Sequence, residues 1–476
     1  SFYNTTGVFN TSLGYRSMFK NTTGQCNVAV GHNAGRETTT GSCNVSLGRN
    51  ALCANTTGTR NVAIGVNALK VSNIDNPNTA VGANTLQVNT TGIGNTAIGN
   101  QALFSNTTGV KNVAVGESAL LCNTTGGRNV ALGNIALNNN TTGRANVAVG
   151  YAAMCSNTTG YANTALGCRA LVKNTEARCN TALGWQALYF NITGCSNVAV
   201  GARALQDNRE GRYNVAVGGN ALKQNEVSCL TAIGFKSLYC NTTGVDNTAV
   251  GFCSLHSNTI GDNNTAVGTC ALSRNTVGNS NTAIGRFAMM SNTSGGGNVA
   301  VGCVALCVNT TGCNNVALGN RAQRFTTTAS NNVSIGCRSL YSNTVGCNNV
   351  AIGSSALICN TTGINNTAVG TFSLRDTTIG SHNTAIGYAS AANNTTGLRN
   401  TALGRSALGF NTTGRGNVAV GYRAALNSDG VSNLTAVGYC DLVNNTAGSS
   451  ITAVGFKALA CNTTGTSNTG VGHQAL

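Results

Sequence analysis

The residues of this chain whose types could do chemistry are its 20 cysteines and its recurring Asn-Thr-Thr triplets. Asn-x-Thr is the N-glycosylation acceptor pattern, and it implies an exposed turn. It occurs as Asn-Thr-Thr fourteen times, including Asn4, Asn21, Asn55, Asn89, Asn106, Asn123, Asn241, Asn309, Asn411 and Asn462. The same residues also suit a tight bend for purely conformational reasons. Asn89, Asn106 and Asn123 are 17 residues apart. On stacked turns that spacing leaves about 4.8 Å between neighbours, less than the width of a glycan. Sterics therefore favour Asn and Thr ladders that hydrogen-bond along a stack, with glycosylation of individual sites left open.

The cysteines pair by the same interval. Cys26 and Cys43 are 17 apart, as are Cys253 and Cys270, while Cys179 and Cys195 are nearly so. On adjacent rungs their Cα atoms fall inside the ~4.4–6.8 Å disulfide window. These three pairs are the disulfide candidates of a secreted protein, with intersubunit bridges or free thiols as the alternatives. Cys303 and Cys307 have a zinc-like gap but no recurring partner at metal-ligand spacing. The four histidines (His32, His256, His382, His473) and the acids (Asp75, Asp207, Glu210, Asp246, Asp262, Asp376) lie in unrelated segments. No carboxylate pair, nucleophile–base set or phosphate loop emerges. The expectation is a chain with no catalytic residues, metal or cofactor.

What positions all these residues is a repeat. We number each coil so that Asn-Val-Ala-Val-Gly places the first Val at position 1 and Gly at position 4. The pattern N-[VT]-A-[VIL]-G-x-x-A-L-x-x-N-T-T-G-x-x then runs 28 times at intervals of 17, with one interval of 16 between Val215 and Thr231. Position 4 is Gly in every copy, as at Gly14, Gly31, Gly48, Gly99 and Gly116. Asn precedes position 1 in 25 of the 28 copies, as at Asn27, Asn44, Asn61 and Asn95. Uniformity at a Gly implies a positive φ or an approach that no Cβ permits. The apolar runs are too short for helices and are cut by Gly every few residues.

Seventeen residues suit one rung of a parallel β-solenoid or β-roll. The expected rung has a strand up to position 3, a turn at Gly, a second strand near positions 6–10 and a turn at Asn-Thr-Thr-Gly. About 28 coils spaced about 4.8 Å apart would make a rod roughly 130 Å long. Positions 3 and 8 are expected to fill the interior, with Ala at positions 2 and 7 forming flat outer strips. The reverse assignment places Ala inside and Val/Ile on a subunit interface. Either way the first strand is apolar on both faces, which motivates self-association.

Composition agrees with a thin repetitive object: 8% charged, 5% aromatic, 61 Gly and a single Pro. The net charge of +16 comes from Lys and Arg spread thinly along the sequence. It suggests attraction to anionic cell-surface polymers rather than specific nucleic-acid binding. No stretch reaches the ~20 apolar residues of a membrane span. Residues 1–476 read as a single array, expected to be a section of a longer fibre protein.

The segment from Asn95 to Ala102 (Asn-Thr-Ala-Ile-Gly-Asn-Gln-Ala) resembles the head repeats of trimeric autotransporter adhesins. The Asn-Thr-Thr-Gly turns resemble repeats of phage tail-fibre-like surface proteins. The resemblance implies a β-roll packed side by side with other chains as a homotrimer. The expected role is an extracellular fibre shaft, structural or adhesive, on a cell or virion surface. The alternative is a ligand-binding solenoid that presents Thr and Asn ladders to a glycan or to ice.

Overall fold

A computed structural model describes residues 3–73, 75 and 77–476. Ser1 and Phe2, read above as part of the first repeat, lie outside the described residues. The chain is all-β, with 28 parallel strands and no helix among the described residues. It divides into two units, Ser1–Lys236 and Ser237–Leu476.

The first unit holds fourteen three-residue strands, from Thr11–Leu13 to Thr231–Ile233. Each strand pairs in register with the next, as in Val113↔Val130, Ala114↔Ala131 and Val115↔Leu132. The short interval is absorbed without loss of register, since Val215 still faces Thr231. The second unit holds fourteen more strands, Thr248–Val250 to Thr469–Val471, built the same way. Two of these, Thr435–Tyr439 and Thr452–Phe456, extend to five residues.

Parallel pairing continues beyond the strands. Within one rung, Val113 N–H reaches Asn129 O at 2.8 Å, Leu120 N–H reaches Ala136 O at 3.0 Å, and Thr124 N–H reaches Thr141 O at 3.0 Å. Turn residues thus bond to the neighbouring rung as strand residues do, which satisfies backbone donors that would otherwise be orphaned.

The Gly column shows why position 4 tolerates nothing else. Gly150 has φ +129°, and a Cβ there would lie 2.7 Å from both the carbonyl carbon and the oxygen of Gly167. Both the conformation and the rung-to-rung approach require Gly.

Two expectations are corrected. The second strand near positions 6–10 does not form. Residues at positions 6 and 8 take left-handed backbone, as in Ser118 (φ 56°), Leu120 (54°), Ile135 (51°) and Leu137 (50°). In a strand, consecutive side chains face opposite ways. The left-handed residues break that alternation, so Ala119 and Leu120 are both fully buried. Left-handed backbone costs a Leu about 1–2 kcal/mol, comparable to the about 1.5–3 kcal/mol returned by burying its side chain.

The interior keeps Leu at position 8 as expected, but Ala at positions 2 and 7 lies inside and position 3 outside, the reverse of the primary expectation. Ala114 and Ala131 at position 2 are buried at 0% exposure, whereas Ile98, Leu132 and Leu166 at position 3 are 41%, 37% and 42% exposed. The core is an Ala–Ala–Leu column flanked by Asn. A rung this narrow has room for one large side chain, and the left-handed Leu occupies it.

Candidate interaction surfaces

The Asn columns belong to the interior. At position 17, Asn146 N–H donates to Asn129 Oδ1 at 3.0 Å, and its Nδ2 donates to Gly160 O at 2.8 Å. Asn27, Asn44, Asn61 and Asn95 sit in the same column, and Asn44 N–H reaches Asn27 Oδ1 at 2.9 Å. The amides of Asn27, Asn44 and Asn95 likewise take the next rung's N–H and close a turn carbonyl, while Asn61 Nδ2 turns instead to Thr59 O.

The sequon asparagines form a second buried column at position 11. Asn123 Nδ2 donates to Asn106 Oδ1 at 2.8 Å and to Gly126 O at 3.0 Å. Asn21, Asn55, Asn89, Asn106, Asn123, Asn241, Asn309 and Asn411 are all 0% exposed. A glycan acceptor needs an Nδ2 that opens to solvent, and in these eight it faces inward. Asn4 is exposed and Asn462 half-buried, although both still bond their turn carbonyls, Gly7 O at 2.9 Å and Gly465 O at 3.1 Å. The Thr at position 12 spends its hydroxyl along the stack, as Thr124 does on Thr141 O at 3.2 Å. The Thr at position 13 remains exposed, as at Thr125 and Thr142.

The disulfide candidates are not bridged, and all 20 cysteines are free thiols. Cys26, Cys43 and Cys179 are exposed, while Cys195, Cys253 and Cys270 are partly buried. In-register stacking explains the correction for the same-position pairs. It holds successive Cβ atoms about one rung apart, roughly 4.8 Å, whereas a disulfide needs about 3.5–4.5 Å. The Cα window alone is too permissive a test. Burial pushes the Cys53, Cys155 and Cys307 thiols above their ordinary range, so these are not activated nucleophiles.

Three surfaces face outward. The first is the outer strand face, where position 1 is always Val or Thr and position 3 always Val, Ile or Leu, in all 28 copies. The second is the column at position 5, which is rich in aromatic residues near the end of the second unit. There Tyr422, Tyr439, Phe456 and His473 stack at 5.2, 5.2 and 5.1 Å. The third is the wall at positions 13–16, whose charge differs between the units.

No group of three or more His, Cys, Asp or Glu side chains able to hold a metal occurs among the described residues. No helix among them is long and apolar enough to cross a membrane. No protein-family model matches the chain, and no curated protein matches it.

Proposed function

We propose that this chain is a structural shaft of an extracellular or virion-surface fibre, non-catalytic, assembled by packing copies side by side on their outer strand faces. The observation that carries the reading is the composition of that face. Neighbouring outward columns accept Arg, Glu, Cys, Tyr or Gly, yet positions 1 and 3 carry no charge in any copy. Position 3 is nevertheless partly exposed in the single chain, reaching about two-fifths at residues such as Leu183 (40%) and Leu403 (43%). A strip this uniform, apolar at every position 3 and uncharged at every position 1, reads as covered.

The occupant is a second copy of the chain. Fourteen rungs at about 4.8 Å give each unit a face about 65 Å long. With a width of about 10 Å it offers on the order of 650 Å², near the about 800 Å² per partner of a stable complex. Only a partner with the same rung spacing can stay in register along such a face. The reading agrees with the resemblance to autotransporter heads, whose coils pack against neighbouring chains. The glycan- or ice-binding alternative, built on Thr and Asn ladders, has less to work with, because both Asn columns and the position 12 hydroxyls bond within the stack.

Sedimentation of the full chain tests the proposal. Association should strengthen as salt rises, since a face without charges must overcome the mutual repulsion of +16 chains. Replacing Ile98, Leu132, Leu166 and Leu183 together with Lys should yield monomers. A wild-type chain that stays monomeric at tens of micromolar, at low and high salt, would sink the idea.

A further inference from the structure

Folding gathers cations that the linear sequence scatters. Lys111 and Arg128 occupy position 16 of consecutive rungs, and Arg144, Arg178 and Arg212 occupy position 15 of later ones. All five are exposed and lie on one wall of the first unit, within a span of about six rung spacings, roughly 29 Å. None of them forms an ion pair among the described residues. Glu176 and Glu210 stand at position 13 on the rungs of Arg178 and Arg212, so the purest positive stretch is Lys111–Arg128–Arg144. There Arg128 and Arg144 border a groove of about 630 Å³, lined also by Thr125, Gly127 and Thr142.

A second observation comes from the backbone of the same wall. The position 15 N–H groups of Val110, Gly127, Arg144, Tyr161 and Arg178 donate to nothing within the protein. In the second unit the same N–H is often closed by an oxygen from the next rung. Val245 N–H meets Asp262 Oδ1 at 2.8 Å, Asp262 N–H meets Asn279 Oδ1 at 2.7 Å, and Cys313 N–H meets Ser330 Oγ at 3.0 Å. A carboxylate oxygen therefore fits this donor, as Asp262 demonstrates. In the first unit the matching places are taken by Gly127, Arg144, Tyr161, Arg178 and Cys195, and none of these side chains supplies such an oxygen.

We infer that this wall binds a linear polysaccharide bearing carboxylate or sulfate groups, laid along the rung axis. Its oxyanions take the open N–H groups, and Lys111, Arg128 and Arg144 supply the counter-charge. A charged acceptor shortens and strengthens each such hydrogen bond, and guanidinium groups suit planar oxyanions. The exposed hydroxyls of Thr125 and Thr142 face sugar hydroxyls along the same groove. A polysaccharide is favoured over single-stranded nucleic acid because the stretch from Lys111 to Arg144 carries no aromatic ring at positions 13–16 on which a base could stack. On the rungs beyond it, Tyr161 has Arg144 5.6 Å and Arg178 5.8 Å from its centroid, Arg178 Nη1 donates to its hydroxyl at 2.8 Å, and Tyr213 stands exposed next to Arg212. The inference goes beyond the shaft reading and does not depend on it, since the wall and the outer strand face are different positions of the rung.

The test titrates the full chain with polygalacturonate, heparin, neutral dextran, poly-glutamate and a single-stranded oligonucleotide, in low and high salt, by calorimetry. Polygalacturonate or heparin should bind at low salt and weaken steeply as salt screens the contact. Tighter binding of polygalacturonate assigns carboxylate as the group recognised, and tighter binding of heparin assigns sulfate. The double variant Arg128→Glu with Arg144→Glu should lose about tenfold or more in affinity. Arg399→Glu with Arg415→Glu, in the second unit, should change it by less than about twofold. Tyr161→Ser places a hydroxyl where Ser330 caps Cys313, and it should weaken binding without altering net charge. Circular dichroism verifies that each variant keeps the fold. The proposal is overturned by absence of glycan binding at low salt or by equal loss in the two double variants. Tighter binding of the oligonucleotide or poly-glutamate than of either glycan overturns it too. Sedimentation of the same variants reports lateral association separately, so a failure there leaves this result intact.

Discussion

Rungs from Val113 to Asn163 and rungs from Val418 to Asn468 meet the same demand in different chemistry. In the first stretch, unbroken amide columns tie each rung to the next, and Asn112, Asn129, Asn146 and Asn163 each accept or donate across the gap. In the second, Leu434 and Ile451 replace that Asn and are buried as hydrophobes. The amide bonds lost there are offset in other ways. Two strands lengthen to five residues, extending the register to Gly438↔Gly455 and Tyr439↔Phe456. Above them Tyr422, Tyr439 and Phe456 stack nearly parallel, at 17° and 9°. Buried Asp441 replaces Ala at position 7, taking the Gly455 N–H at 2.9 Å and the Ala458 N–H at 2.8 Å. The invariant is therefore the rung-to-rung distance, and amides, extended backbone and rings are alternative ways to hold it. Ala at position 2 and the Gly column are common to both stretches without substitution.

The most damaging change should accordingly strike the shared Gly column. Gly150→Ala puts a Cβ 2.7 Å from the Gly167 carbonyl, against backbone that cannot swing aside. We expect a loss of more than about 4 kcal/mol, read as a collapse of hydrogen-exchange protection in the adjoining rungs. Gly438→Ala should be as harmful, since its Cβ would also meet the next rung's carbonyl. A mild effect at either site would mean that the rung spacing is softer than the comparison requires.

The next effect separates the two stretches. Asn146→Leu copies Leu434 into the amide region without the longer strands or the rings. It strands the Asn163 N–H, now bonded to the Asn146 amide, and leaves the Gly160 carbonyl with Asn157 Nδ2 as its remaining donor. An unpaired buried group costs about 1–3 kcal/mol, so a loss of that size is expected in denaturant titration, with faster exchange at the Asn163 amide. An unchanged midpoint would show that the amide column is incidental to stability.

How much of this was legible in the sequence follows from what each residue must do. Gly at position 4 and Asn at position 17 announced themselves, because one steric or hydrogen-bonding task recurs in every rung. The inside-out placement of Ala114 and Val115 did not. Alternation identifies two faces of a strand, and the volume available decides which is interior. Left-handed Leu120 and Leu137 were hidden because nothing in a Leu's own preference points to positive φ. The cationic wall escaped because Arg128, Arg144, Arg178 and Arg212 are far apart along the chain. Sorting charges by position in the rung, rather than by proximity in sequence, would have exposed it.

The smallest expected effect concerns Asp441, the buried acid of the second stretch. Burial pushes its carboxyl pKa up, and the bonds from Ala458 and Gly455 pull only partly the other way. The unfolded chain, with an ordinary carboxyl near 3.8, therefore gives up this proton at lower pH than the folded chain does. The stability contributed by the protonated group is fully present below about that ordinary value. It is lost as pH rises through the higher folded value. Asp441→Ala restores the residue found at this position in most rungs and removes the titration. The melting temperature of the variant relative to wild type should rise between about pH 3.5 and pH 7. If the Asp441→Ala difference is independent of pH, the carboxylate is held equally well at both ends of the range. The lengthened strands would then owe nothing to its protonation state, and the contrast between the two stretches would rest on the rings and on Leu434 and Ile451 alone.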